Sequence, residues 1–143
     1  MDELNWKYNN TIFTEEMIGD NYGFVYEITG PNGRKYIGKK FFYSQKTKQV
    51  KGKKKKILVE SDWKEYYGSS KELQEDVLSI GQDKFKREIL RFCETKGECS
   101  YYEAKFQFQF DVLLNPKEWY NSWISCRVRR THLKGVFRDE EEI

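Results

Sequence analysis

Two tyrosines on either side of a turn are the first residues whose types and spacing could do chemistry. Tyr26 and Tyr36 lie in short apolar runs, 24–29 and 34–38, which are separated by Gly30-Pro31-Asn32-Gly33. A proline with a preset φ, a residue that tolerates left-handed φ and two glycines predict a β-hairpin at this turn. Side chains alternate between the faces of a strand, so the two phenols can meet across neighbouring strands. They form either a cross-strand pair that only stabilises the sheet or part of an active site.

A carboxylate on a predicted helix is the second chemical group. The helix runs from Ser100 to about Leu114, and Glu103 lies in its otherwise apolar first turn. The helix dipole favours negative charge there, which is sufficient to explain this residue. An acid buried against two tyrosines instead suits a hard divalent cation, since Mg²⁺ takes few protein ligands and keeps several waters.

The elements that must position these groups follow from apolar spacing and capping residues. Ser69 and Glu72 have capping-box spacing at the start of a predicted helix, 71–79, whose apolar face is Leu73, Val77, Leu78 and Ile80. A strand is predicted over 85–92, a turn over 95–97, and a short helical stretch after Ser61-Asp62 that includes Trp63, Tyr66 and Tyr67. The apolar stripe of the second helix, predicted to be buried, is Tyr101, Ala104, Lys105, Phe106, Phe108, Phe110, Val112 and Leu113.

Composition predicts one folded domain with an anionic partner. The 143 residues include ten Tyr, ten Phe and four Trp, so an aromatic core offsets a mean hydropathy of −0.89. The net charge is +3, but four of the acids are Asp139 to Glu142; without them 26 basic residues face 19 acidic ones, a net of +7. A basic body makes nucleic acid the first candidate partner.

Cysteine usage and hydropathy favour a cytoplasmic chain with no membrane contact. The three cysteines, Cys93, Cys99 and Cys126, have no CxxC spacing and no nearby pair of histidines. Reduced thiols therefore fit better than a disulfide framework or a zinc site. The first ten residues are polar and acidic, and no apolar stretch approaches the length of a membrane span.

A lysine-rich segment follows the hairpin. Seven lysines lie between residues 46 and 56 around the single Gly52. The flanking runs 47–50 and 57–59 could form a second hairpin with its tip at 51–53, which would project basic charge. A solvated disordered loop, or a run resembling a nuclear-localisation signal, explains the same residues. The candidates for contact with DNA phosphates are Lys51, Lys53, Lys54, Lys55 and Lys56.

Aromatic and basic residues interleave near the C-terminal end. The run 119–123 contains two tryptophans and a tyrosine, and Arg127, Arg129 and Arg130 follow it. Such interleaving suits contact with a nucleic-acid backbone or with bases. A last strand packed on the core explains the aromatic residues equally well.

The order of these features resembles the GIY-YIG endonucleases. Phe24-Val25-Tyr26 resembles the first motif of that family, and Tyr36-Ile37-Gly38 matches the second. Residues 69–73 and 81–90 are similar to the helix, turn and third strand of the phage homing endonucleases in the family. Tyr102-Glu103 and Tyr120-Asn121 correspond to its metal-holding glutamate and its closing asparagine.

The resemblance implies a domain organisation and a fold. It covers residues 22–124, with a lysine-rich insertion at 46–60; residues 1–21 are then an N-terminal extension with one helical turn near 14–17. Residues 125–143 are a basic and then acidic tail. The implied fold is a small α/β domain, in which helices flank a three-stranded antiparallel sheet.

The resemblance also implies an activity, cleavage of DNA phosphodiester bonds with one Mg²⁺ or Mn²⁺ ion. Tyr26 would be the general base or would position the attacking water, and Tyr36 would support it by hydrogen bonding. Gly38 would let the backbone approach the scissile strand, Glu103 would hold the metal, and Asn121 would close the domain.

Two departures from the family pattern leave a rival function open. Phe24 replaces the first glycine, and Lys46 occupies the place of the catalytic arginine on the first helix. Lys39 and Lys40, directly after the second motif, are the alternative cations. Lysine neutralises a phosphate as a point charge but lacks the bidentate fork of arginine. The rival is a non-catalytic nucleic-acid-binding module on a degenerate nuclease scaffold, and a structural or partner-binding protein ranks third.

Overall fold

Seven strands and two α-helices follow one another along residues 5–133, the part of the chain that the computed structural model describes. The strands are β1 (Lys7–Tyr8), β2 (Thr11–Ile12), β3 (Gly23–Thr29), β4 (Lys35–Phe41), β5 (Tyr43–Val50), β6 (Lys53–Glu60) and β7 (Lys86–Cys93). The helices are α1 (Lys71–Ile80) and α2 (Lys96–Gln109), and 3₁₀ turns occupy Glu15–Ile18, Gln82–Lys84 and Arg130–Leu133. The fold is mixed α/β, as predicted.

The main sheet has five strands in the order β2-β1-β7-β3-β4. The predicted hairpin is present: β3 and β4 pair antiparallel, with Tyr26 opposite Gly38 and Ile28 opposite Tyr36. β3 also pairs antiparallel with β7, whereas β1 runs parallel to β7. The prediction of three antiparallel strands was therefore wrong in number, because β1 and β2 extend the sheet.

The added strands come from the segment that was predicted to be an N-terminal extension. Trp6 and Phe13 are buried in the core, and the ring of Trp6 meets those of Phe24 and Tyr26 edge to face at 4.9 and 5.2 Å. The indole Nε1 donates a hydrogen bond of 2.7 Å to the carbonyl of Trp63. Two-residue strands carry no detectable period, so only tertiary packing reveals that they join the sheet. The predicted helical turn is the 3₁₀ turn Glu15–Ile18.

The two faces of the sheet are covered by different helices. Tyr26 and Tyr36 lie on the face that packs against Leu73 and Val77 of α1. Ile37, on the alternate face of β4, packs with the residues of α2. The stretch before α1, predicted to be helical, consists of turns that bury Trp63 and Tyr67 against the α1 side. A register shift between β3 and β7 falls between Val25 and Tyr26, and such bulges re-aim neighbouring side chains.

The lysine-rich segment forms a separate two-stranded ribbon of β5 and β6, which we call the arm (residues 43–60). The arm confirms the second hairpin and contradicts the alternative of a disordered loop. Its turn, Lys51-Gly52, has φ angles of +50° and +76°. Positive φ at both central residues of a two-residue turn matches the twist of the flanking strands.

The second helix begins earlier than predicted. Thr95 is its N-cap, with a side chain that accepts a 3.1 Å hydrogen bond from the backbone N–H of Glu98, so residues 95–97 open the helix and are not a separate turn. Thr95 and Glu98 have the spacing of a capping box, a signal that the sequence offered. Glu103 therefore lies eight residues into α2, beyond the first turn, where the helix dipole no longer accounts for a carboxylate.

The buried stripe of α2 was also partly wrong. Phe108 is 65% exposed, and Lys105, Phe110 and Leu113 are exposed as well. α2 ends at Gln109, so the last residues of the stripe do not continue its helical spacing. The buried face of α2 includes two polar residues, Glu98 and Gln107, that lie outside the predicted apolar stripe. The buried face and the predicted stripe therefore coincide only in part.

Two further predictions concern the C-terminal tail and membrane-spanning segments. The acidic run Asp139 to Glu142 lies outside the described residues, as does most of the tail predicted to follow residue 124. Within residues 5–133, the helices are too short and too polar to cross a bilayer.

Candidate active site

A cleft of about 370 Å³ opens along the free edge of β4. Its walls come from β4, from α2, from residues 69–70 before α1 and from residues 120–125. Four of the site residues predicted from the sequence line it: Tyr36, Lys39, Glu103 and Asn121. The edge strand thus brings together groups that are more than sixty residues apart in the chain.

The edge of β4 is closed up to Ile37 by the segment that carries Asn121. Lys35 exchanges backbone hydrogen bonds of 2.8 Å with Glu118 and Tyr120. The side chain of Asn121 then replaces a strand: Oδ1 accepts from the N–H of Ile37 at 3.0 Å, and Nδ2 donates to its carbonyl at 2.8 Å. Asn121 is buried, and its side-chain amide covers the edge of β4 at Ile37. The cleft is open from Lys39 onward.

The two tyrosines lie one behind the other, with their rings tilted by 36° and the ring centroids 6.2 Å apart. Tyr36 lines the cleft, and its hydroxyl lies 2.8 Å from the Oγ of Ser69. Tyr26 is fully buried behind it. A Cβ at Gly38 would lie 2.4 Å from the hydroxyl oxygen of Tyr26. Glycine is therefore required at this position of β4, where the phenol of Tyr26 passes over the strand.

The surroundings of Tyr26 keep its phenol neutral. Burial, followed by the phenols of Tyr66 and Tyr36, raises the pKa of Tyr26 well above its usual value near 10. Among residues 5–133 its hydroxyl finds no partner with good hydrogen-bond geometry, although Tyr66 lies close by, with ring centroids 6.1 Å apart. A base role would need a nearby cation that lowers this pKa, whereas Tyr26 lies among other phenols.

Glu103 and Lys39 form the charged pair of the cleft. A carboxylate oxygen of Glu103 lies 3.2 Å from the Nζ of Lys39, and the acid is only 13% exposed. Burial raises the pKa of Glu103, and the ammonium group and backbone N–H of Lys39 partly oppose that rise. Both charges are thus held at the cleft and largely withdrawn from solvent.

The donor atoms of the cleft fit a hard cation held by one acid. The other polar side chains of its wall are hydroxyls and amides, whose oxygens, like carboxylates, suit Mg²⁺. Across residues 5–133 no three acidic, cysteine or histidine side chains gather into a metal-binding group. A bound ion would therefore take Glu103 as its protein ligand and complete its shell with water and substrate oxygens.

A protein-family model matches most of the chain. The family model described as "Putative endonuclease segE, GIY-YIG domain" matches residues 6–124. The chain belongs to the GIY-YIG family. The match includes β1 and β2 and ends just after Asn121. No curated protein and no solved structure gave a significant match.

The three lysines considered in place of the family arginine lie in three different settings. Lys39 is in the cleft beside Glu103. Lys40 points to the other face of β4, where it pairs with Asp62 at 2.5 Å and lies 4.0 Å from the ring centre of Tyr66. Lys46 is exposed on the arm and does not line the cleft. Of the three, Lys39 is the one placed to meet a ligand of this GIY-YIG cleft.

The candidate DNA-binding residues lie outside the cleft and are all exposed. The exposed lysines of the arm are Lys51, Lys53, Lys54, Lys55 and Lys56, and the exposed arginines after the cleft wall are Arg127, Arg129 and Arg130. Trp119 and Tyr120 are buried, as expected of a segment packed on the core. Trp123 is 71% exposed, so packing on the core does not account for the second tryptophan of the run.

Two polar residues of the cleft were missed as site residues. Gln107 is buried, its Nε2 donates to the carbonyl of Ile37 at 3.0 Å, and its Oε1 has no partner within the described chain. It follows Glu103 by four residues, a spacing that puts both on one helix face and could have revealed it. Ser69 was assigned to helix capping, but Ser70 caps α1 and leaves Ser69 to hold Tyr36.

Proposed function

We propose that this GIY-YIG chain is a metal-dependent DNA endonuclease that hydrolyses phosphodiester bonds at the β4 cleft. The observation that carries the proposal is the convergence of a phenol, an ammonium group and a carboxylate on one cleft, at Tyr36, Lys39 and Glu103. These are the group types that phosphoryl hydrolysis uses to orient water, to neutralise phosphate and to hold a metal. Membership of a family described as an endonuclease supports the same reaction class.

In this proposal Glu103 holds one Mg²⁺ or Mn²⁺ ion. A bound divalent ion polarises the phosphoryl oxygen and stabilises the leaving 3′ oxygen. Lys39 is within 3.2 Å of the carboxylate, so it also lies close enough to neutralise a phosphate oxygen of a strand in the cleft. Lysine does this as a point charge, which supplies charge without the directional fork of arginine.

The two tyrosines have different roles in the proposal because they lie at different depths. Tyr36 faces the cleft, and Ser69 fixes its hydroxyl, which can orient an attacking water. Tyr26 lies behind Tyr36 with a pKa raised by burial. A phenol that keeps its proton at neutral pH is poorly suited to accept another, so the geometry favours a positioning role for Tyr26 over that of a general base.

The arm is proposed to grip the DNA backbone. Register places Lys46, Lys48, Lys53 and Lys55 on one face of the ribbon, and Lys54 and Lys56 on the other. Lys48 lies directly opposite Lys55, and like charges at such a position destabilise a bare ribbon. Within residues 5–133 the arm lysines form no ion pair, so their charge is available to phosphates. A two-stranded ribbon also fits the width of the DNA major groove.

The four-lysine face of the arm also carries two partly buried apolar residues. At its base Ile57 and Val59 are partly buried, whereas Leu58 on the opposite face is 57% exposed. We place the DNA on this face because it carries four lysines, against two on the opposite face. The exposed arginines 127, 129 and 130, which follow the cleft wall, supply a second set of phosphate contacts in the proposal.

The experiment that tests the proposal is plasmid nicking with and without Mg²⁺. Wild-type protein should nick supercoiled DNA only with the divalent ion, and Glu103→Ala should abolish nicking while it leaves binding nearly intact. The non-catalytic binding module, which the absent arginine favours, predicts DNA binding without nicking at any Mg²⁺ concentration. Unchanged nicking by Glu103→Ala would remove Glu103 from the proposed mechanism.

A further inference from the structure

Trp123 is a large aromatic side chain that lies open to solvent at the wall of the cleft. It is 71% exposed, whereas Trp6, Trp63 and Trp119 are at most 9% exposed. Burial of an indole is strongly favourable, so this side chain keeps a large apolar surface available to a ligand of the cleft. None of the aromatic contacts formed within the described chain involves this ring.

The backbone that carries Trp123 is anchored on both sides. On one side Asn121 is held by its two hydrogen bonds to Ile37. On the other, the Sγ of Cys126 contacts the carbonyl oxygen of Ser100 at 3.5 Å. The indole is therefore presented on a short span with fixed ends, beside the hydroxyls of Ser122 and Ser125 that also line the cleft.

We propose that Trp123 stacks on an unpaired nucleobase next to the phosphate held in the cleft. The preferred substrate is then DNA with a single-stranded or bulged nucleotide at the cleavage site. This inference rests on the proposed function, because it takes the cleft to be the place where the DNA strand lies.

The chemistry of the cleft selects this ligand. Stacking on an aromatic side chain needs an open face of the base, and in an intact duplex both faces are covered by neighbouring base pairs. The described wall of the cleft contains one cation and one acid, which pair with each other, together with several hydroxyls. Such a lining offers hydrogen bonds and a ring surface, as a nucleotide requires, and a volume of about 370 Å³ is within the range of small-ligand sites.

The test compares two DNA duplexes of the same sequence, one fully paired and one with a single-nucleotide bulge, in EDTA so that no strand is cut. Bulged DNA should quench the tryptophan fluorescence of the wild type, and Trp123→Phe, which lacks the exposed indole, should abolish most of that quenching. Trp123→Ala should weaken binding of the bulged DNA about 5- to 100-fold, the equivalent of one lost stacking contact, and change duplex binding little.

Two control variants distinguish a loss of base stacking from a general change in structure. Trp123→Phe retains an aromatic face and should keep most of the preference for the bulge. Phe108→Ala removes another exposed ring, on α2 and outside the cleft lining, and should change neither affinity. If Trp123→Ala weakens binding of both duplexes by the same factor, or of neither, the inference is overturned. A protein that dimerises through Trp123 and shows no bulge preference would overturn it too.

Failure of this inference and failure of the proposed function give different results. A wild-type protein that never nicks DNA but shows a preference for the bulge that depends on Trp123 disproves the endonuclease and keeps the stacking contact. A wild-type protein that nicks both DNAs equally, with Trp123→Ala unchanged, keeps the endonuclease and disproves the stacking contact.

Discussion

The cleft and the arm handle charge in opposite ways. In the cleft, Lys39 and Glu103 are paired and largely shielded from water, and burial holds Tyr26 and Tyr36 toward their neutral forms. In the arm, seven lysines lie exposed on a two-stranded ribbon, some directly opposite one another. A few shielded groups at fixed positions suit chemistry at one phosphate, whereas many solvated charges suit affinity for a polyanion. The comparison supports the proposal that catalysis and binding belong to separate parts of the chain.

Glycines in the two regions give the largest expected contrast. Gly38→Ala puts a Cβ 2.4 Å from the Tyr26 hydroxyl, so we expect a loss of about 1–3 kcal/mol in the free energy of unfolding, together with loss of nicking. Gly52→Asn at the arm tip is the control, because nothing lies within 4 Å of that position and asparagine tolerates its φ of +76°. Denaturant unfolding and nicking measure both. Wild-type stability and activity in Gly38→Ala would show that the tyrosine packing is not required.

Two double substitutions test which face of the arm meets DNA. Lys48→Gln/Lys55→Gln and Lys54→Gln/Lys56→Gln remove the same charge from opposite faces. The first should weaken binding more, and should reduce the slope of log K against log salt by about 1.8 if both lysines contact phosphates. Fluorescence anisotropy at several salt concentrations measures the slope. Equal effects of the two variants would mean that total charge, and not the face, controls binding.

The ionisation of Glu103 tests the pairing in the cleft. Burial raises its pKa and Lys39 lowers it, so removal of the ammonium group in Lys39→Gln should raise the pKa further. Lys40→Gln, whose ion-pair partner is Asp62, should leave it unchanged. Carboxyl carbon chemical shifts measured against pH in metal-free protein give the value directly. A pKa of Glu103 that does not move in Lys39→Gln would contradict the pairing.

The smallest effect concerns the stability of the cleft at high pH. The pKa of Tyr26 is raised in the folded protein, so its neutral form stabilises the fold below the unfolded-state pKa near 10, and this contribution is lost as pH rises through the folded value. Tyr26→Phe should therefore lose less stability than wild type between pH 9 and 11, as measured by denaturant unfolding. An equally steep loss in both proteins would show that Tyr26 is not held neutral by burial.

Local signals in the sequence predicted much of the fold. The turn at 30–33 predicted the hairpin and apolar spacing predicted α1, and the arm is one of the two interpretations that the lysine-rich run left open. β1 and β2 could not be predicted, because two-residue strands have no period and depend on the packing of Trp6 and Phe13. The start of α2 was missed even though Thr95 and Glu98 offered a capping box.

The sequence predicted some residues of the candidate site but not how deeply each is buried. The sequence identified Tyr36, Glu103 and Asn121, and the structure brings them to one edge of the sheet. It could not show that Tyr26 lies behind Tyr36, or that Lys39 and not Lys46 reaches the cleft. Tyr26 is deeper because β3 lies between β7 and β4 whereas Tyr36 is on the edge strand, and Lys46 is exposed on the separate arm. Both outcomes depend on strand pairing between distant parts of the chain.

The separation of catalysis from binding is tested most directly by measuring DNA affinity and the single-turnover nicking rate for two variants on the same DNA. Glu103→Gln should lower the nicking rate by on the order of 100-fold or more and leave the affinity close to that of wild type. Lys48→Gln/Lys55→Gln should weaken binding and leave the rate at saturating protein unchanged. Persistent Mg²⁺-dependent nicking by Glu103→Gln, or a slowed saturating rate in the arm variant, would contradict the assignment of chemistry to the cleft and of affinity to the arm.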